Sequence, residues 1–484
     1  MQVQQPTRFT MKNHFTRRRF LATVGAAAGA GLVGRSLFDV SKVLAQGPWV
    51  RPNVSGLTVN SQNIKSYVAG ITAMQALSVK NPNNPCGWSY QAAIHGTTTV
   101  PNQAAWNTCQ HGPNTNFFWP WHRMYLYWFE RIVRKQSGDN TWALPFWDWQ
   151  TQTTLPPMFQ KTGSPVLYVA NRNARINDGT GSLTNLTPGV NTAYAQPIFE
   201  GPAGADSLIQ NPHNSVHGLV GGLMGSITTA AQDPIFFLHH ANCDRLWDLW
   251  LTQGGGQSDP TNDAVWENQV FTFFDENCVQ QQMTPCDILR ALQQLNYSYQ
   301  GEPAQVNQFC GNTPLRRCTS TVVVPQCIPN PPYQLPPGPG PYSFEFTVSS
   351  LLAQQIIAYA ENNSDTLYLQ LGGVTASTQP GVVWDMYVGL PVGGQYILSS
   401  PYYVGTIGMY GPGVADQPPD GNEPAIYNLA VTTAMLTALQ AGEHTLPVTF
   451  VPHGVIVDGN YTLPTQAATV NITQAQLSLQ TVTT

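Results

Sequence analysis

The sequence predicts two folds in series: a mainly α domain, built as a four-helix bundle around a histidine-rich site, and then an antiparallel β-sandwich domain. Three observations predict this. Residues 57–80, 118–135, 213–220 and 238–251 carry apolar, aromatic or histidine positions at helical spacing. A proline-rich run, IPNPPYQLPPGPGP, spans 328–341. Beyond it the chain becomes a series of short strand-like runs, among them TLYLQLGGV, VVWDMYVGL and HTLPVTFVPHGVIV, separated by turn residues.

Taken from the start, residues 1–45 read as an address rather than as structure. Thr16-Arg17-Arg18-Arg19-Phe20-Leu21 is a twin-arginine pattern, an apolar Ala- and Gly-rich stretch runs from Leu21 to Val33, and Val43-Leu44-Ala45 offers a small-residue cleavage site. That order implies a bacterial protein exported already folded through the twin-arginine translocase, to the periplasm or beyond. The apolar stretch is too short for a comfortable membrane span, and no other segment reaches membrane length. Of the 484 residues only 10% are charged, and the formal net charge is −5. Neither gives an electrostatic reason to expect nucleic acid or an anionic membrane as partner.

Residues 46–327 form the first expected domain. In 57–80, Ile64, Val68, Ile71, Met74 and Leu77 fall on one helical face. The stretch 151–211 is rich in Asn, Gly, Thr and Pro and is expected to be surface loop. Residues 328–341 are expected to be a semi-rigid linker, and 342–484 the β domain. Five of the eight cysteines, Cys278, Cys286, Cys310, Cys318 and Cys327, crowd into one stretch. An oxidising destination permits one or two disulfides there, in a pairing the sequence leaves open.

The histidines carry the chemistry. Beyond His14 in the leader, seven of the remaining nine lie between 95 and 240. In NPHNSVHG, His213 and His217 are four apart, so on a helix they share one face and can ligate one metal. Two unrelated surface histidines would look the same. DPIFFLHHANCDRLW, 233–247, supplies a further imidazole inside an aromatic wall, where an unpartnered ring is costly. A three-imidazole site suits copper, zinc, iron or nickel. Upstream, CQHGPNTNFFWPWHRMYLYWFER places His111 before a loop and His122 at the start of an aromatic helix, with His95 before both. Two sets of three histidines argue for two metal ions side by side.

FFWPWHRMYLYWFER with ALPFWDWQ, and PHNSVHG with DPIFFLHHANCDRLW, resemble the two copper regions of the tyrosinase, catechol oxidase and molluscan haemocyanin superfamily, over roughly 51–250. VVWDMYVG resembles a strand of the plant polyphenol oxidase shielding domain. The resemblance implies a type-3 dicopper centre, with His95, His111 and His122 on one copper, and His213, His217 and His240 on the other. His239 would then support the site or hydrogen-bond in the core. Phe236, four before His240, would stack near the second copper. Cys109, two before His111, would form a thioether to it; a buried thiol or a disulfide to Cys86 is the plainer alternative. The interval from His111 to His122 is longer than the resemblance leads one to expect, an excess that the GPNTN loop can absorb.

The implied activity is that of a phenol oxidase taking small phenols and O2. Tyrosinases hydroxylate monophenols and oxidise o-diphenols to o-quinones; catechol oxidases do only the second. Asn214 would hold a proton-accepting water and favours the first. The usual carboxylate helper is absent at Ile209, leaving Gln210 or, through a folded-back loop, Glu200. Ile227 falls at the entrance position, and Gly218 offers no anchor for an acidic substrate. Each of these residues could equally serve local packing. The β domain would cover the site with a side chain, for which Tyr402, Tyr403 and Leu390 are candidates, until a protease cuts the linker. Arg51 resembles an arginine that packs on an aromatic near the domain's end. An o-aminophenol oxidase stays open as an activity. An oxygen carrier and a zinc hydrolase are disfavoured, the latter because carboxylate ligands are lacking.

Overall fold

The computed structural model describes residues 49–96, 116–261, 263–289, 297–302, 317–323, 328, 332–336, 338–362, 366–410, 424–462 and 468–483. Cys109 and His111 lie outside these, as does the leader. Four helices organise the N-terminal part: α1 (Gln62–Lys80), α2 (Phe118–Ser137), α3 (Gln210–Val220) and α4 (Ile235–Trp250). They fall near where the apolar and histidine spacing placed them, with α1 beginning five residues later and α3 and α4 each beginning three residues earlier.

Their burial explains their order in space. α1 is amphipathic and turns Ile64, Tyr67, Ile71 and Met74 inward while its other face meets solvent. α2 is buried over nearly its whole surface, down to Arg123 and Glu130, so it is the central rod. It stops at Gly138, whose φ of +73° is the left-handed conformation a glycine adopts without penalty. Gly70 lets α1 approach α2: a Cβ there would stand 2.8 Å from a Val133 methyl. Charges buried with α2 are paired. Arg51 reaches Glu130 at 3.1 Å and Asp244 at 2.9 Å, and Arg123 holds Asp244 and, at 2.6 Å, Asp248. Such charges are tolerated inside only because each has a partner. The Arg51 guanidinium also lies 4.0 Å from the centre of the Tyr297 ring, the aromatic contact anticipated for it.

One disulfide departs from expectation. Cys278 pairs not within its own cysteine-rich stretch but with Cys86, 192 residues away. Cys86 is therefore not the partner of Cys109. Cys286 is also disulfide-bonded, and Cys243 is a buried free thiol.

The C-terminal part is rich in strands, and every pair within its two sheets is antiparallel. One sheet runs Tyr403–Gly408, Val383–Val388, Thr445–His453, Tyr342–Thr347. The other is built on Thr366–Ala376, flanked by Gln474–Thr483, Val470–Ile472 and Ala425–Ala430. Two features were not foreseen. Helices Ser350–Asn362 and Thr432–Gln440 accompany the sheets. The second sheet also recruits Arg317–Val323 and Tyr333–Leu335, which pair with Gln474–Thr483 and Val470–Ile472. The proline-rich stretch thus supplies a strand, because Tyr333-Gln334-Leu335 is free of proline and can donate its N–H groups to a ladder.

The two parts touch closely. Ile456–Val457 extends a small sheet onto Gly181–Ser182. Strand Tyr403–Gly408 runs against α3. A Cβ on Gly408 would stand 2.8 Å from the Ser215 Cα, so only glycine allows this approach. The Asn211 side-chain amide donates to the Asn428 carbonyl at 2.9 Å.

Candidate metal centre

Two groups of histidines converge between α2, α3 and α4, and all are buried. His95, His122 and His240 form one; His213, His217, His239 and His240 form the other. Within each group the nearest ring nitrogens lie within 4.8 Å of one another. α3 carries His213 and His217 on one face, α4 carries the pair His239-His240, and α2 carries His122 in its first turns.

The rings are held from behind. His95 Nδ1–H donates to the Ile227 carbonyl at 3.0 Å, His122 Nδ1–H to Phe118 at 2.6 Å, and His217 Nδ1–H to Met224 at 2.8 Å. His213 Nδ1–H donates to Asn214 Oδ1 at 2.9 Å. These bonds fix the tautomer and turn the Nε2 lone pair inward, the arrangement that supports metal-binding imidazoles. The lone pairs are crowded: His213 Nε2 lies 3.1 Å from His217 Nε2 and 3.3 Å from His240 Nε2. With each Nδ1 already the donor, neither nitrogen of the 3.1 Å pair has a proton to share, and a cation between them relieves the repulsion. Burial also keeps the rings neutral. It lowers His95 to about 4, and it takes His122 and His240 well below the usual histidine value. A set of neutral, inward-facing imidazoles fits copper, as it fits zinc, iron or nickel.

His239 differs from the hydrogen-bonding core residue considered for it. Neither of its ring nitrogens has a hydrogen-bond partner among the described residues. Its ring stacks on His213 at 5.0 Å and 14°, and burial lowers it to about 3. It is thus a sixth imidazole at the site among the described residues.

Of the other expected residues, Phe236 stands between the groups, its ring 4.5 Å from that of His95 and 4.2 Å from that of His240. Ile227 serves His95 through its carbonyl, and its side chain covers Gly96. The Gln210 amide turns back to donate to the Asp206 carbonyl at 3.1 Å. Glu200 is half-buried. Asp206 escaped the sequence reading. Its carboxylate accepts from the N–H groups of Phe118 and Trp119 at 3.2 and 2.9 Å, capping α2 from the turn that leads into α3. It thereby ties the helix of His122 to the helix of His213. Burial pushes it up to about 7 against the pull of those donors.

The covering residue is also different from those anticipated. Tyr402 and Tyr403 stay within the C-terminal part, and Leu390 folds back over its own turn at Gly394. Tyr410, two residues beyond Gly408, lies over the histidines instead. Its ring is parallel to His217 at 3.9 Å and 13°, edge-on to His213 at 5.8 Å, and 3% exposed. Gln379 Nε2 donates to the Met409 carbonyl at 2.7 Å and sits over Gly218. Nothing local marks Tyr410 in the sequence, since its partners are almost two hundred residues away.

Residues 85–201 and 169–253 match the common central domain of tyrosinase, and 260–308 match the polyphenol oxidase middle domain. The stretch that bears these histidines is similar to a tyrosinase central domain. A tyrosinase of Hahella sp. (strain CCB-MM4) is 34% identical over 257 residues, covering 42% of this chain and 54% of that protein. Polyphenol oxidase C of Solanum lycopersicum is 30% identical over 264 residues, 45% of this chain and 42% of its own length. The chain thus spans about half the length of the curated relatives it matches. The fold is that of the latent apple tyrosinase, with TM-score 0.58, 21% identity, and 90% of this chain and 98% of that one covered. It is also that of a latent aurone synthase, with TM-score 0.62, 20% identity and 91% of each chain. The tyrosinase and polyphenol oxidase family is thus supported by family model and relatives alike. Its cofactor is a type-3 copper pair, with O2 as co-substrate. No described helix is long and apolar enough to cross a membrane.

Proposed function

We propose that the protein is an exported phenol oxidase of tyrosinase type, which ortho-hydroxylates monophenols and oxidises o-diphenols to o-quinones. The observation that carries this reading is the pair of histidine groups meeting at His240, every ring buried and the Nε2 lone pairs turned inward. His95, His111 and His122 hold one copper; His213, His217 and His240 hold the other. The copper pair, when bound, supplies O2 binding and electron transfer.

The chain's own residues do the rest. Phe118, Trp121 and Phe236 wall the rings and exclude water. Asn214 fixes His213 and orients a water toward the incoming phenol. The face of His217 that Tyr410 covers is the surface on which a substrate ring stacks. The C-terminal part is a shield, with Tyr410 as the placeholder, so the full chain is latent. Export by the twin-arginine route agrees with a protein that must fold around its metal first.

A catechol oxidase limited to diphenols is the second reading. It is favoured by the turn of Gln210 back onto the Asp206 carbonyl and by Ile209 in place of a carboxylate. Oxygen uptake by the copper-loaded chain, with a simple monophenol and then with catechol, before and after limited proteolysis, decides between the two. Uptake with both supports the first reading, and uptake with catechol alone the second. No uptake by copper-loaded, cleaved protein whose C-terminal part has been separated from the rest overturns both.

A further inference from the structure

The placeholder on His217 is itself a phenol. A leucine or phenylalanine would cover the site as well, and neither could be oxidised there. Tyr410 is held rigidly. Gly408 lets its strand close on α3, the Tyr427 hydroxyl donates to the Gly408 carbonyl at 3.2 Å, and Gln379 grips the Met409 carbonyl at 2.7 Å. The result is a parallel ring 3.9 Å from His217, edge-on to His213 and shut off from bulk water. A bound reactant fixed in one orientation gains the rate advantage of an intramolecular reaction.

We infer that Tyr410 is a modification site: once the chain holds copper and meets O2, the Tyr410 ring is the first phenol it oxidises. The inference rests on the phenol-oxidase reading above. The balance is that of one turnover. The ring loses two hydrogens and gains one oxygen at an ortho carbon, becoming an o-quinone. O2 accepts four electrons, placing one oxygen on the ring and leaving the other as water. With a mild reductant such as ascorbate the quinone is returned to the catechol, which takes two electrons and two protons. The shield would then carry a permanent mark of having been loaded with copper in air.

The test is peptide mass spectrometry on the full chain, purified without metal, loaded with copper(I) under argon and then exposed to air. The peptide containing Tyr410 is expected to gain one oxygen less two hydrogens, or one oxygen when ascorbate is present. The added oxygen should come from isotopically labelled O2. Metal-free, zinc-loaded and oxygen-free samples should leave the peptide unchanged, and Tyr410→Phe should show no gain at that position. An unmodified Tyr410 in copper-loaded protein overturns the inference. If the same preparation oxidises added phenols once the C-terminal part has been cut and separated, the inference alone fails. If it oxidises neither monophenols nor catechol, the proposed function fails with it. A gain that also appears with zinc is adventitious oxidation and equally overturns the inference.

Discussion

The two histidine groups reach similar ends by different routes. The second is local: His213 and His217 share one helical face, and His239-His240 arrive together on the next long helix. The first is assembled from separated parts. His95 follows a six-residue helix, Trp88–Ala93, and takes its orientation from a carbonyl 132 residues further on. His122 stands on α2, which Asp206 caps from another segment. The groups share only His240. A site whose halves are so differently supported should respond differently to damage on either side, and that can be measured.

The largest effect should come from the shared residue. His240→Ala is expected to abolish oxygen uptake, because the second copper loses a ligand, and to loosen the first copper as well, because the His240 ring stacks on His122 at 4.2 Å. His217→Ala should spare the first metal and leave close to one copper per chain. Copper analysis after dialysis checks this. Equal loss in the two variants would show that the His240 ring does not support His122.

Next in size is the support of the first group. Cys86–Cys278 anchors the segment that leads through Trp88–Ala93 to His95. Replacing Cys278 by Ala should cost roughly 2–5 kcal/mol of stability, as for other native disulfides. The first copper should be lost more readily than the second. Denaturant unfolding and copper retention read the two consequences separately.

On the second group, Asn214→Ala removes the acceptor behind His213. Loss of such a supporting bond typically weakens metal affinity by about 10–100-fold. The first metal should be unaffected, the mirror image of the disulfide result. Acid, by contrast, should act on both groups. In the metal-free protein, burial holds His95 at about 4 and His239 at about 3, while the unfolded chain binds protons near the ordinary histidine value. Between those limits the unfolded state carries more protons, so stability is full above pH ~6.5 and falls as pH drops toward 4. Thermal midpoints of apoprotein that stayed flat across that window would mean that the rings are not buried and neutral.

The same contrast explains what was legible in the sequence. The second group could be read directly, because i, i+4 spacing and a histidine pair in an apolar run are local signals. The helices followed from periodicity for the same reason. That Arg51 packs on an aromatic ring was also anticipated, though not that the ring is Tyr297. The Cys86–Cys278 pairing, the cap from Asp206 onto α2 and the cover by Tyr410 were not, since each joins distant segments and leaves no periodic trace. The C-terminal helices were missed because Ser350–Asn362 and Thr432–Gln440 are embedded among strand-like runs and lack charged caps. The strand at Tyr333–Leu335 was hidden by the prolines around it.

That strand makes the last and smallest expected effect a matter of how the C-terminal part is held. If Tyr410 alone blocks the site, Tyr410→Ala in the uncut chain should raise catechol oxidation about tenfold or more, as a fully populated closed state becomes competent. Cutting within 328–341 should do less. A cut after Leu335 leaves Arg317–Val323 and Tyr333–Leu335 on the catalytic side, still paired with Gln474–Thr483 and Val470–Ile472. Ile456–Val457 also remains on Gly181–Ser182, and Asn211 on Asn428. Backbone ladders of this kind do not need a continuous chain, so the severed halves should co-elute on gel filtration and Tyr410 should stay over His217. Mild denaturant would then release the activity that the cut did not. Free separation of the halves after the cut would mean that these ladders contribute little, and that the covalent linker alone holds the placeholder in the site.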